Sequence, residues 1–168
     1  YLVAGNQRSE MLPGIATGWN ISQDGLTWNF KIRDGVKFHD GSKLTLADVV
    51  FSMDHTFGPK AAVEALEASL ASVAKTTAGI EAVGTGTLRI THTKPFASFL
   101  FLVSEMTAPN SGAIMPKAYF ERVGLEGYNR AAIGAGAFKL VTYKPAEQIL
   151  LERFEDHYYQ PDNGFAED

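Results

Sequence analysis

Apolar and polar positions alternate strictly over residues 27–33, with Trp28, Phe30 and Ile32 set against Thr27, Asn29, Lys31 and Arg33. A period of two is that of a half-buried strand, which places Trp28 in the core. Asp24-Gly25 stands before this run and Asp34-Gly35 after it. A third pair, Asp40-Gly41, closes a loop that holds Val36 and Phe38. Such pairs suit turns, because glycine takes positive φ without steric cost and aspartate bonds its own backbone. Residues 15–21 are predicted to pair with 27–33 as a hairpin. The period then changes. Leu46, Val49, Val50, Met53 and Phe57 recur at helical spacing after Thr45, with Asp48 three residues on. This predicts a helix over 45–57 whose first turn Thr45 caps and whose dipole Asp48 favours.

Gly58-Pro59 should end that helix, and Pro59 can open another with Val63, Leu66, Leu70 and Val73 as its apolar stripe. Residues 78–83 and 87–93 read as two strands around Gly84-Thr85-Gly86, with Ile80, Leu88 and Ile90 as core. Phe96, Phe99, Leu100 and Val103 follow at helical spacing. Phe101 and Leu102 make that short helix apolar nearly all round, so it is expected to be buried. Residues 106–112, MTAPNSG, form an irregular loop, and 113–115 a short apolar strand. A helix over 116–123 should carry Pro116 at its first position and Gly124 at its end. Last comes a hairpin of residues 138–143 and 148–154 around Lys144-Pro145-Ala146. Residues 1–13 carry little pattern beyond Leu2, Val3 and Met11, which could pack at an edge. The fold class is therefore α+β: antiparallel hairpins forming a sheet, with helices packed on it.

Composition narrows the function classes. A chain of 168 residues with 45% hydrophobic and 20% charged positions can bury a core of its own, which argues against disorder. A net charge of -4 without a basic stripe gives no reason to expect nucleic acid as a partner. With no cysteine, thiolate metal sites, disulfides and a cysteine nucleophile are excluded. No apolar run approaches membrane-spanning length, so membrane insertion by this stretch is not expected. His39, His55, His92 and His157 lack ligand spacing, and no metal or other cofactor is expected. There is no G-x-S-x-G, and Gly134-Ala135-Gly136 lacks the third glycine of a dinucleotide fingerprint. No residue set points to an enzyme. Among loops, 106–112 is the best candidate for ligand contact, because it follows an apolar helix and carries polar groups between punctuating residues. Met106, Thr107, Asn110, Ser111 and Gly112 are its candidate residues; the plain alternative is a connecting turn.

Residues 19–52 also resemble the block shared by extracellular solute-binding proteins of the family 5 type. Agreement runs through Trp19, Ile21, Ser22, Asp24, Gly25, Leu26, Thr27, Phe30 and Lys31, the whole run from Arg33 to Gly41, and Leu44, Thr45, Asp48, Val49, Phe51 and Ser52. Gly18, Ile32 and Lys43 depart from the family's usual serine, leucine and proline. Two later stretches are similar too: Thr87 to Ile90 with Pro95 to Leu100, and Gly134, Gly136, Phe138, Leu140, Pro145, Ile149, Leu151, Arg153 and Tyr158. Ala135, Ala137 and Tyr159 replace the family's Thr, Pro and Trp.

The resemblance implies a subdomain of a two-lobed periplasmic binding protein fold. Residues 1–168 would be a single domain within the N-terminal lobe, a fragment without the second lobe. It implies a solute-capture component of an ABC import system, with peptides or similar small solutes as ligand and a membrane permease as partner. The setting would be periplasmic or extracellular, with a lipid anchor possible for a full-length protein. It also puts the 106–112 loop at the cleft edge. Some members carry an arginine there, and this chain has none between Lys94 and Lys117. A ligand-sensing or interaction module of a regulator is the alternative that the resemblance leaves open.

Overall fold

In a computed structural model, residues 1–6, 8–59, 73–106 and 111–158 are described. The chain divides into two compact units, Tyr1–Asp34 with Thr45–Ile114, and Gly35–Leu44 with Met115–Asp168.

The first unit is built on a four-stranded antiparallel sheet. Its strands are β3 (Ala16–Ile21), β4 (Thr27–Ile32), β5 (Thr77–Val83) and β6 (Thr87–His92), in the order β3-β4-β6-β5. The expected hairpin of β3 and β4 is present, with Trp19 opposite Phe30 and a bulge between Ala16 and Gly18. The alternation in β4 reads out as predicted: Trp28 and Phe30 are buried. β6 alternates in the same way, sending Leu88, Ile90 and His92 into the core. Ile80, expected in that core, is only half-buried on the outer strand β5.

Helix α1 (Leu46–Phe57) lies against β5 and β6. Its start is a capping box. The Asp48 N–H donates to Thr45 Oγ1 (3.4 Å), and the Thr45 N–H donates to Asp48 Oδ2 (2.8 Å). Two orphan donors are thus satisfied reciprocally. Val49, Met53 and Phe57 are fully buried, and the helix ends at Gly58, whose N–H returns to the Asp54 carbonyl. The helix predicted from Pro59 falls on residues 60–72, outside the described residues. Residues 73–76 are helical and run into β5, with Val73 buried.

Three expectations need correction. Residues 1–13 form a small hairpin, β1 (Val3–Gly5) with β2 (Met11–Pro13). Three-residue strands are too short to show a period, although Leu2 and Val3 are fully buried. The short helix α2 (Phe99–Leu102) buries one side only. Phe99 and Val103, four residues apart, face inward, while Phe101 is 43% exposed. One helical turn on a sheet has one inner side, whatever its composition. Residues 113–115 are irregular and not a strand; Ile114 is buried all the same.

In the second unit, Val36, Phe38 and Leu44 are buried around the Asp40-Gly41 turn, and Lys37 bridges Lys43. Helix α3 (Lys117–Arg130) starts after Pro116, which takes the capping position rather than the first helical one. Gly124 (φ 68°) breaks it where its end is predicted, and a second helical piece continues to Arg130. The predicted final hairpin is present as β7 (Phe138–Lys144) with β8 (Gln148–Arg153). Gly25, Gly35 and Gly41 all have positive φ, between 72° and 83°, as their Asp-Gly turns require. The Asp24 and Asp40 carboxylates accept the N–H groups of Leu26 and Ser42, both at 3.0 Å.

Candidate functional site

The candidate loop leaves the core at Val103 and returns at Ser111, and β1 grips both of its ends. Val3 N–H donates to the Val103 carbonyl and Glu105 N–H to the Val3 carbonyl, each at 3.3 Å, as a parallel bridge. On the return side, Leu2 N–H donates to the Gly112 carbonyl at 2.8 Å. Two consecutive residues of one strand therefore hold the chain before and after the loop. The strand that does this lies in the stretch where the sequence shows least pattern.

Side chains tighten the anchor. Ser104 Oγ donates to the Phe101 carbonyl (2.7 Å) and accepts from Met106 N–H (3.3 Å). Ser111, 1% exposed, donates its hydroxyl to the Leu102 carbonyl at 2.6 Å. Gly112 packs so closely on the Val103 backbone that a Cβ would run into its carbonyl oxygen. Met106 is half-buried, and its thioether covers Gly5, where a Cβ would collide with it. Glu105 accepts the Gly5 N–H at 3.1 Å. Of the five candidate residues, then, Ser111 and Gly112 fix one end of the loop and Met106 covers the other. Thr107 and Asn110 lie outside the described residues. The loop MTAPNSG contains no titratable side chain. Its hydroxyl and amide side chains are of hydrogen-bonding type, and Met106 adds a soft apolar surface.

The histidines lie in separate settings. His39 clips the Gly134–Gly136 segment: Gly134 N–H donates to Nδ1 (3.2 Å), and Nε2 faces the Gly136 carbonyl (3.0 Å). With Nδ1 accepting, Nε2 is the ring nitrogen that faces the Gly136 carbonyl as donor. The His39 backbone N–H also donates to the Gly134 carbonyl (2.8 Å), and Phe154 packs edge-on against the ring. This short glycine segment is thus a structural join, consistent with its failing the dinucleotide pattern. His92 is fully buried in the first unit, and among the described residues neither of its ring nitrogens has a hydrogen-bond partner. Burial lowers its pKa below the ordinary 6.5. In the second unit burial pushes Tyr128 up to about 12, and its hydroxyl donates to the Ile133 carbonyl at 2.6 Å. That keeps the phenol a neutral donor. Among the described residues no three His, Asp or Glu side chains gather to hold a metal. No described helix is long and apolar enough to cross a membrane.

Comparison with known proteins places this scaffold. Residues 10–166 match the family model described as bacterial extracellular solute-binding proteins, family 5 Middle. A glutathione-binding protein, GsiB of Escherichia coli O1:K1, is 30% identical over 148 residues, covering 88% of this chain and 27% of that protein. Among solved structures, NikZ from Campylobacter jejuni in complex with Ni(L-His) superposes with a TM-score of 0.79 at 28% identity. That match covers 95% of this chain and 30% of NikZ. DppA from Helicobacter pylori, an ABC transporter-associated periplasmic binding protein in complex with peptide STSA, gives 0.76 at 25% identity. It covers 95% of this chain and 34% of DppA. The chain therefore spans about a third or less of the relatives it matches.

Proposed function

Because this chain belongs to the bacterial extracellular solute-binding proteins of family 5, we propose that it is part of the solute-capture component of an ABC import system. The observation that carries this reading is the family match over residues 10–166. In our reading the chain forms a scaffold portion of the N-terminal lobe of a longer polypeptide. A second lobe would complete the site. The action is capture without catalysis: two lobes close on a solute by hinge motion, and the closed form is presented to a membrane permease. Ligand shifts the open–closed equilibrium only through its differential contacts with the two states, so both lobes contribute to affinity.

The solute is a peptide or a similar small molecule. The names of its relatives span glutathione, a nickel–histidine complex and a peptide. That range fits a scaffold reused with different surfaces. The loop 106–112 would edge the cleft, with Met106, Thr107, Asn110, Ser111 and Gly112 as the candidate residues for solute contact. The protein would work in the periplasm or outside the cell, with a lipid anchor where the full-length polypeptide carries one.

Isothermal titration with glutathione, the peptide STSA and the nickel–histidine complex tests the reading. This chain alone should bind each with a Kd no tighter than about 1 mM, and the polypeptide its own cell makes should bind at least one at about 1 μM or tighter. Micromolar affinity in the 168-residue chain alone would overturn the two-lobed reading.

A further inference from the structure

The cover over His92 and the footing of the candidate loop are one short piece of chain. His92 is the last residue of β6, opposite Thr77 of β5, and its N–H donates to the Leu26 carbonyl at 2.8 Å. The sheet thus fixes the backbone beneath the ring. Phe96 and Phe99 lie against the ring edge-on, with centroids 5.5 Å and 4.7 Å away. The residue is fully buried, and among the described residues neither ring nitrogen has a hydrogen-bond partner. Buried polar groups are paired in most places, so such a ring marks a point of weakness or of use.

The turn that seats the two phenyl rings also carries the loop. Phe99 N–H donates to the Phe96 carbonyl at 3.3 Å, and Val103 N–H to the Phe99 carbonyl at 3.2 Å. The carbonyls of Phe101, Leu102 and Val103 then hold both ends of the loop, accepting the hydroxyls of Ser104 and Ser111 and the Val3 N–H. Phe96 ties the cover to the β3–β4 hairpin: its N–H donates to the Gly25 carbonyl (3.2 Å), and its carbonyl accepts from Trp28 Nε1 (3.1 Å). Helix α2 is a single turn of four residues with Phe101 exposed, and one turn has little stability of its own. Between an inner strand and a one-turn cover, the cover is the side that yields.

Among the described residues no charged group faces the ring. Residues 96–102 contain no titratable side chain. Asp24 before β4, Asp54 and His55 on α1, Lys75 and Glu81 at β5, Lys94 after β6 and Glu105 after α2 are all exposed. Asp48 of α1 is engaged with Thr45, and Arg89 lies on the other face of β6 with Asn29 and Glu81. Lys60, Glu64 and Glu67 fall outside the described residues. Burial therefore opposes the imidazolium, while a ring opened to water takes up a proton near the ordinary 6.5.

We propose that His92 is a proton-operated latch on the candidate loop: a proton on the ring lifts the 96–102 turn and frees both ends of 106–112 from their footing. The latch stands apart from the capture reading. Its consequence, weaker capture in acid, rests on that reading.

Hydrogen exchange read by mass spectrometry tests the latch without solute, on the polypeptide as its own cell makes it and on its His92→Leu variant, between about pH 7.5 and pH 5.5. Protection is taken relative to the free amide's own rate at each pH. Residues 1–5 and 99–105 report the anchor, and 27–32 the inner strand β4. Opening that frees the ring should gain up to about tenfold over this range, because the open form binds the proton more readily than the closed one. Anchor protection in the native protein should fall by about threefold or more and lie well below that of 27–32 at pH 5.5, while the variant changes by less than about twofold. A native anchor that holds within about twofold, or an equal fall in the variant, would overturn the latch. So would an anchor that exchanges only together with 27–32, since unfolding of the whole unit would then be what exposes the ring. Each of those results leaves the solute-capture reading standing. If the variant does not fold, the two segments of the native protein decide between these outcomes.

Discussion

His92 closes β6 inside the first unit with an aromatic ring on two sides. Phe99 lies 4.7 Å from it between centroids and Phe96 5.5 Å, both edge-on. Phe57 extends the cluster from α1, 5.3 Å from Phe99. The ring is 2% exposed, neither nitrogen has a hydrogen-bond partner among the described residues, and burial is the cause of its lowered pKa. Two phenyl rings can offer a cation about 0.5–1 kcal/mol each. Losing hydration costs an unpaired ion several kcal/mol, so burial favours the neutral ring. The unfolded chain binds its proton near pH 6.5. A folded pKa below the unfolded one means that this contribution to stability is complete above about pH 6.5 and is lost as pH falls below it.

Stability should therefore fall through this residue as pH drops from about 7.5 to about 5.5, by no more than the about 1.4 kcal/mol that a ring neutral throughout would give. The perturbation is His92→Leu, a side chain of similar volume without the two nitrogens. Relief of the unsatisfied atoms, about 1–3 kcal/mol, is set against ring contacts of about 0.5–1.5 kcal/mol each. The variant should therefore stay within about 1 kcal/mol of the native protein at neutral pH. Urea unfolding of both proteins over this pH range gives the decisive quantity, the difference in stability, in which every contribution common to the two proteins cancels. Native stability should drop relative to the variant as pH falls, by up to about 1.4 kcal/mol. A difference constant to about 0.3 kcal/mol would refute the argument, since the ring would then take up a proton as readily folded as unfolded.

Two further substitutions test the frame of the candidate loop and the main helix. Thr45→Ala removes one arm of the capping box at α1 and should cost about 1 kcal/mol in urea unfolding with an unchanged m-value; no loss would mean that the cap is not formed in solution. Gly112→Ala drives a methyl group into the Val103 carbonyl and should cost about 2 kcal/mol or more, with faster amide exchange at Leu2 and Val3; unchanged exchange there would show that β1 does not hold the loop.

Much of the local structure was legible in the sequence. The alternation around Trp28, the Asp-Gly pairs and the Thr45–Asp48 cap depend on backbone sterics and hydrogen bonds within a few residues, so the sequence carries them openly. The three glycines at positive φ and the buried Trp28 follow directly. Family membership was legible for the same reason, since so long a block of turn and cap residues is hard to match otherwise. The 106–112 stretch stood out in the sequence as a candidate, but the roles of its described residues did not. That Ser111 is spent on the Leu102 carbonyl, and that Gly112 is wedged on Val103, depends on Leu2 and Val3 from a hundred residues earlier. The same holds for β1 and β2, whose pairing comes from burial of Leu2 and Val3 and leaves no period in three residues. His92 reads as an ordinary polar end to a strand until Phe96 and Phe99 fold back over it. Contacts between residues far apart in the chain have no signature in either segment alone, and only the tertiary structure decides which polar groups they satisfy and which they leave buried.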